Sequence, residues 1–250
     1  MHTILITGAS SGFGAAIARR LCDENTRLIL LARRLDRLQA LAESLDGPCH
    51  VERLDLREHE AIAALPHRLP APFRQVDTLI NNAGLALGLE PAHQARLADW
   101  DTMLDTNCRA LVHLTRSFLP AMVERGAGHV VNMASIAGSW PYPGGNVYGA
   151  SKAFVQQFSR NLRADLQGTG VRVTCIDPGL AETEFSRVRF HGDQQKADAV
   201  YTDTHPLRPE DVAEAVAWAL QQPAHVNINH IELMPTCQAW GPLAIHRETD

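Results

Sequence analysis

No two of the five cysteines, at positions 22, 49, 108, 175 and 237, form a Cys-x-x-Cys pair, and their number is odd. That excludes a disulfide framework and a zinc ribbon, and the five are expected as reduced, mostly buried thiols. The twelve histidines include no His-Glu-x-x-His and no partner cluster, so no metal is expected. Long apolar runs are missing too. The strongest, Leu28 to Ala32, has strand length, far short of the ~18 residues a spanning helix needs. The stretch Met1 to Thr7 enters a strand-like run with no basic flank and no small-residue cleavage site, which predicts a cytoplasmic protein without a membrane partner. Charge of one sign is scarce: the formal net charge is -5, with Lys and Arg scattered among Asp and Glu, and this leaves no footprint for nucleic acid or anionic lipid. Small molecules are the expected partners.

What is present is a chain of 250 residues, 45% of them apolar, enough for one domain that removes roughly 70 to 75% of its unfolded surface from water. Short apolar runs alternate with segments of helical period: Ile4 to Thr7 then Ala15 to Asp23, Leu28 to Ala32 then Leu35 to Leu45, Val51 to Leu54 then Glu58 to Arg68. Val76 to Ile80, one long helix from about Asp99 to Glu124, and His129 to Ala134 come next. A helix from about Asn146 to Gln167, then Val171 to Ile176, Glu210 to Leu220 and Ile228 to Met234, complete the alternation. It predicts an α/β fold of the Rossmann type: a doubly wound parallel sheet of about seven strands with helices on both faces. A single domain over residues 1–250 is expected, with ligands at the carboxyl ends of the strands. Val147, Phe154, Phe158, Leu162 and Leu166 give the second long helix an apolar stripe that faces the sheet or another subunit. Between Gly179 and Pro209 the period dissolves into a polar stretch punctuated by Pro and Gly, read as a lid or substrate loop over about 180–209.

Between the first strand and the first helix stands Thr7-Gly8-Ala9-Ser10-Ser11-Gly12-Phe13-Gly14. Glycines there let the backbone turn tightly and approach a pyrophosphate, whose charge rests on the free N–H groups of the helix N-terminus. The spacing G-x-x-x-G-x-G departs from G-x-G-x-x-G, so its place between strand and helix carries more weight than the spacing. An NAD-selective site keeps a carboxylate for the ribose 2′-hydroxyl about 20 residues further on. Here the second strand ends Leu31-Ala32-Arg33-Arg34 instead. Two guanidinium forks suit a 2′-phosphate, which favours NADP(H) as cofactor. Arg37 continues the charge run, and an ordinary basic helix turn is the plainer alternative.

Tyr148 and Lys152, four apart on a predicted helix, project from one face. A phenol titrates near 10 and is a poor base at neutral pH. An adjacent ammonium lowers that value, so Lys152 is expected to tune Tyr148 as the proton carrier between an alcohol and a carbonyl. Ser135 follows the apolar strand His129 to Ala134, where its hydroxyl can hold a substrate oxygen in line with Tyr148. Asn107, poorly suited to a helix interior, is a candidate for keeping a water or a carbonyl in a proton path.

Assembled, these residues resemble the short-chain dehydrogenase/reductase family over essentially the whole chain. The match lies in order and spacing: the glycine turn, Asn81-Asn82-Ala83-Gly84, Asn107, Ser135, Tyr148-Gly149-Ala150-Ser151-Lys152 and Pro178-Gly179-Leu180-Ala181-Glu182-Thr183. The resemblance implies that Gly8, Ser10, Ser11, Gly12, Phe13, Gly14, Arg33 and Arg34 hold the cofactor, with Asp55 and Leu56 beside the adenine. It implies that Asn82, Ala83, Gly84, Pro178 and Gly179 line the same cleft, that Thr183 reaches the nicotinamide carboxamide, that Lys152 hydrogen-bonds the nicotinamide ribose, and that Tyr148 too is a cofactor contact. Asn107, Ser135, Tyr148 and Lys152 become the catalytic group, and a homotetramer is implied.

More narrowly, Asn81 to Gly88, Gly138 to Tyr148 and Pro223 to Asn229 look like one bacterial branch. It contains NADP-dependent 3-hydroxy acid dehydrogenases acting on serine and allo-threonine, and relatives that reduce sulfoacetaldehyde to isethionate. A small anionic hydroxy acid or aldehyde needs a cation or aligned N–H groups where its acid head is desolvated. Arg189 in the candidate lid is the first choice and Arg247 near the C-terminus the second, with Ser135, Tyr142, Asn146 and Tyr148 as further substrate contacts. A ketoreductase of carrier-bound acyl chains would call for a basic patch that is not marked out here. A non-catalytic NADP(H) sensor has no need of Tyr148 or Lys152, and both are present.

Overall fold

The computed structural model describes residues 1–241, so Arg247 lies outside the described residues. Seven strands, β1 (His2–Thr7), β2 (Thr26–Ala32), β3 (Cys49–Arg53), β4 (Thr78–Asn81), β5 (Gly128–Met133), β6 (Val171–Pro178) and β7 (His230–Leu233), form one sheet in the order β3-β2-β1-β4-β5-β6-β7. Every neighbouring pair is parallel. The winding reverses between β1 and β4, which opens a crevice at the carboxyl ends of the strands.

Alternate residues of each strand enter opposite cores. Ile4, Ile6, Leu28 and Leu30 pack with α1 (Gly12–Leu21), α2 (Leu35–Glu43) and α9 (Pro209–Leu220), through Ile17, Leu38 and Val216. Leu5, Ile29 and Leu31 pack under α3 (His59–Arg68), α5 (Ala110–Arg125) and α6 (Asn146–Asp165), through Leu65, Phe118 and Leu162. Burying one such Leu or Ile side chain stabilises the fold by about 1.5 to 3 kcal/mol. Coverage of both faces is why these strands read as continuous apolar runs.

Four expectations need correction. The segment read as one long helix is α4 (Leu97–Leu104) and α5, joined by a π turn over Asp105–Arg109. Such a turn interrupts the regular helical ladder and frequently marks a functional site; this one carries Asn107, 2% exposed. The stretch from 180 to 209 is not without structure, for it holds α7 (Phe185–Arg189) and α8 (Gln194–Ala199), both too short for a period to show. On α6 the sheet side takes Ser151, Val155, Ser159 and Leu162, while Phe154 is left 42% exposed and stacked on Phe158 at 5.9 Å. Among the cysteines only Cys175 is buried; Cys22, Cys49 and Cys108 are half-buried, Cys237 is exposed, and all five are free.

His129 on β5 is almost wholly buried, and its Nε2 lies 2.8 Å from Thr174 Oγ1. Thr174 spends its own hydrogen on Ile228 O, so the imidazole is the donor to it. Burial pushes the His129 pKa down to about 3, and the folded protein holds the ring neutral. In the unfolded chain it protonates near 6.5. Stability is therefore expected in full above that value and to fall as pH drops toward 3, by up to about 1.4 kcal/mol per pH unit from this group. Denaturant titrations at a neutral and a mildly acidic pH measure the slope. The slope should flatten in His129→Gln.

Candidate active site

The strands deliver their site residues by ending where they do. Gly8 follows β1, Arg33 follows β2, Leu54 and Asp55 follow β3, Asn82 follows β4, Ala134 and Ser135 follow β5 and Gly179 follows β6, and all of them line one cleft. The same cleft takes Ser10, Ser11, Gly12, Phe13, Arg34, Leu56, Ala83, Gly84, Tyr148, Lys152, Pro178 and Thr183. Thr7 fastens the two strand ends at the point of reversal: its Oγ1 accepts from the backbone N–H groups of Asn82 and Ala83, both at 3.0 Å, and its carbonyl accepts from Asn82 Nδ2 at 2.8 Å.

Gly8 has φ +67°, and a Cβ on it would stand 3.0 Å from Ala83 Cα. Gly14, also expected at the cofactor, is instead a packing glycine beneath the turn. A Cβ there would collide with the Gly8 carbonyl and stand 2.7 Å from Asn82 Nδ2. The first turn of α1 holds no acidic residue, so the positive end of the helix dipole faces the cleft unopposed. A bare glycine turn against a helix N-terminus fits the pyrophosphate of a dinucleotide.

The two arginines after β2 differ. Arg33 is exposed at the cleft and has no hydrogen-bond or ion-pair partner among the described residues. Arg34 is engaged: it donates to Ser11 Oγ at 2.6 Å, to Ser10 Oγ at 3.1 Å and to Glu184 Oε2 at 2.8 Å. Glu184 also takes Arg37 Nη1 at 2.6 Å. Arg37, with Arg34, holds the Glu184 carboxyl down at about 2. Glu184 lies just ahead of α7, so this carboxylate ties the lid segment to the basic corner of the cleft. Nothing in the sequence marked Glu184, whose partners are about 150 residues away. Asp55 is paired with Arg57 at 2.6 Å, which holds its carboxyl below the usual range.

Tyr148 and Lys152 stand together on α6, buried, with Lys152 Nζ 5.8 Å from the phenol ring centroid. Other groups also act on the Tyr148 phenol. Lys152 donates to Met133 O at 2.9 Å, and burial pushes its pKa down to about 8. Burial raises the Tyr148 phenol, and the groups that oppose the rise are the Ser135 hydroxyl and the Arg189 guanidinium. Arg189, 5.1 Å from the ring centroid, is a second cation beside the phenol. Asn107 is fully engaged: Nδ2 donates to Leu85 O at 2.8 Å and Ser151 Oγ at 3.0 Å, and Oδ1 accepts from Leu85 N at 2.9 Å. It holds the Gly84-Leu85 backbone beside Lys152. A Cβ on Gly84 would stand 3.2 Å from Nζ.

Arg189, at the end of α7, lies over Phe185 and Tyr148 at 5.0 and 5.1 Å and donates to Tyr142 Oη at 3.1 Å. Its Nε is buried without a partner among the described residues. Neither Arg189 nor Tyr142 is itself part of the cleft lining; Arg189 lies behind Tyr148 and Phe185, which are, and Tyr142 is joined to it. Asn146 is used differently: its amide donates to Glu90 O at 3.2 Å and accepts from Val147 N at 2.7 Å, a fastening at the start of α6 that is not part of the cleft lining.

The family model described as short chain dehydrogenase matches residues 2–194. An NADP-dependent 3-hydroxy acid dehydrogenase, YdfG, of Salmonella typhi is 55% identical over 245 residues, 98% of this chain and 99% of its own. Sulfoacetaldehyde reductase 2 of Chromohalobacter salexigens is 56% identical over 248 residues, 98% of each chain. A solved serine dehydrogenase, in its closed form with NADP+, superposes with a TM-score of 0.96 at 54% identity, covering 98% of this chain and 100% of that one. With a family match over residues 2–194 and relatives alike over nearly the full length of each protein, the chain belongs to the short-chain dehydrogenase/reductase family.

Proposed function

We propose that this protein is an NADP(H)-dependent oxidoreductase that interconverts a small 3-hydroxy acid, of the serine or allo-threonine type, with its carbonyl form. The observation that carries this reading is Arg189, a guanidinium with a buried, unpartnered N–H beside Tyr148. An unsatisfied buried donor costs about 1 to 3 kcal/mol, and an anionic head group removes that cost. Relatives named for 3-hydroxy acids and for serine support the substrate class. When bound, NADP(H) supplies or accepts the hydride. Ser135 holds the substrate oxygen, and Tyr148 gives that oxygen a proton or takes one from it. Burial raises the phenol, which favours the protonated form that carbonyl reduction draws on. Lys152 supports the ribose, and Asn107 keeps the backbone beside it in place for a water relay. Residues of about 180–209 act as the substrate lid, with Thr183 at the nicotinamide end.

Arg33 and Arg34 are assigned to the 2′-phosphate in unequal parts, Arg33 as the free cation and Arg34 as the shared one. Arg33→Ser is expected to raise KM for NADPH about 10- to 100-fold, the worth of a charge-assisted hydrogen bond, and to leave KM for NADH unchanged. Parallel initial-rate measurements with the two coenzymes check this; an equal effect on both would remove Arg33 from the phosphate site.

A second reading, reduction of sulfoacetaldehyde to isethionate, is favoured by the 56% identical relative of that name and by the same Arg189, whose free N–H suits a sulfonate as well as a carboxylate. NADPH consumption with malonic semialdehyde and with sulfoacetaldehyde, run side by side with Tyr148→Phe as control, separates the two by kcat/KM. Turnover of neither overturns both. We also infer a cytoplasmic homotetramer, the assembly supported by apolar surface left on α4, α5 and α6, where Leu104, Val123 and Phe154 are 44%, 38% and 42% exposed. Light scattering in solution tests the assembly.

A further inference from the structure

Glu184 is a carboxylate in a corner built for an anion. It lines the cofactor cleft beside Arg33, Arg34, Ser10 and Ser11. The residue before it seats the lid on the phosphate turn, for a Cβ on Gly12 would stand 3.4 Å from Thr183 Cβ. Thr183 Oγ1 accepts from Phe185 N at 3.1 Å, which fixes the backbone on either side of Glu184. Glu184 Oε2 takes Arg34 Nη1 at 2.8 Å and Oε1 takes Arg37 Nη1 at 2.6 Å. The rest of Arg34 is spent on the turn: Nε donates to Ser10 Oγ at 3.2 Å, and Nη2 to Ser10 Oγ at 3.1 Å and Ser11 Oγ at 2.6 Å. Asp55, the other carboxylate of the cleft lining among the described residues, is paired instead with Arg57 at 2.6 Å. Of these two acids, Glu184 is the one that engages an arginine assigned to the coenzyme.

We infer that Glu184 is a specificity-determining residue of the coenzyme site: its carboxylate competes with the 2′-phosphate of NADP(H) for Arg34 and holds the affinity for that phosphate below what the arginines alone would set. The inference rests on the assignment of Arg33 and Arg34 to the phosphate. A guanidinium grips a phosphate best with two parallel N–H groups. Every nitrogen of Arg34 is engaged, so it offers such a fork only by giving up a partner. Ser10 and Ser11 are uncharged and can themselves donate to the phosphate; Glu184 repels it and has no proton to give. Arg37 lies outside the cleft lining and keeps the carboxylate when Arg34 turns away, so the exchange leaves no unpaired acid and the lid stays tied. Arg37, with Arg34, holds the Glu184 carboxyl down at about 2, and the rival charge is fully present at neutral pH. The side chains of Arg34 and Glu184 are 41% and 39% exposed, so solvent and salt keep the competition modest. NAD(H), with a hydroxyl in place of the phosphate, meets no such rival, and Glu184 thereby narrows the preference between the two coenzymes.

The test is calorimetric Kd for adenosine 2′,5′-bisphosphate, which carries the 2′-phosphate but no nicotinamide, and for AMP, which lacks that phosphate. Neither probe reaches the nicotinamide end, so a change in how the lid meets the nicotinamide does not enter. Glu184→Gln is expected to bind the bisphosphate about fivefold tighter than wild type at low salt, the upper end for a half-exposed ion pair, and to bind AMP as wild type does. The gain is expected to shrink at high salt. In a protein that already carries Arg34→Gln, adding Glu184→Gln is expected to change the bisphosphate Kd by less than about twofold, because the contested partner is gone. A purely structural role for Glu184 would move both probes alike. A bisphosphate gain below about twofold, weaker bisphosphate binding, an equal gain for AMP, or a gain that survives the loss of Arg34 overturns the inference. Wild type that binds the bisphosphate no tighter than AMP sinks the assignment of the arginines and this inference with it, whereas a wild type that prefers the bisphosphate beside an unchanged Glu184→Gln sinks this one alone.

Discussion

Tyr148→Phe is expected to lower kcat for carbonyl reduction by about 10³-fold, roughly 4 kcal/mol of barrier, with NADPH binding and Tm close to wild type. One oxygen is removed and nothing else: the ring keeps its packing against Ala86 and Met103 and its tilted contact with Phe185 at 5.5 Å. No backbone group loses a partner. The loss measures proton delivery alone, read as steady-state rates beside the fluorescence of bound NADPH. A pH series sharpens the result. Reduction needs the protonated phenol, so its rate falls as pH rises through the Tyr148 pKa; oxidation needs the phenolate, so its rate rises there. Lys152, held down at about 8, sheds its charge on the way. A loss smaller than about tenfold would mean that the proton comes from another group.

Arg189→Met should lower kcat/KM for an anionic aldehyde by about 10²- to 10³-fold, and for a neutral aldehyde of similar size by less than about tenfold. Methionine keeps the apolar stem of the side chain and removes the guanidinium that lies over Phe185 and Tyr148. What disappears is the charge, the bond to Tyr142 Oη and the buried N–H that has no partner among the described residues. The smaller effect on the neutral substrate comes from Tyr148, whose phenol Arg189 pulls downward. Equal losses on both substrates would make Arg189 a support for Tyr148 and take it out of anion recognition.

The phosphate turn, the strand ends and the tyrosine-lysine pair were legible because each is local. A residue that follows a strand arrives where the strand ends, and two residues four apart on a helix share a face whatever surrounds them. Asn107 was found through its poor fit to a helix, yet the π turn that carries it was not, because one extra residue in a helical turn leaves the apolar period almost unchanged. Gly14 was grouped with the phosphate glycines although its work is to let α1 close on Gly8, a contact that spacing does not report. Asn146 was drawn in by its nearness to Tyr148, but the start of α6 points its amide at Glu90.

By itself the sequence determined the alternation of strand and helix, the parallel sheet, the chemistry at each strand end and the family these imply, all properties of neighbours along the chain. Tertiary structure alone decided which charges are free and which are used. Arg33 and Arg34 are adjacent and alike until Glu184 arrives from the lid and takes Arg34. Tyr148 and Lys152 form a simple cation-phenol pair until folding gives the ammonium Met133 O as a partner and brings Arg189 beside the ring. Asp177 is one more acid until Gln156 and His230 close on it. In each case the deciding term is desolvation or a charge pair between segments distant in sequence, and its size depends on a separation in space that exists only once the chain has folded.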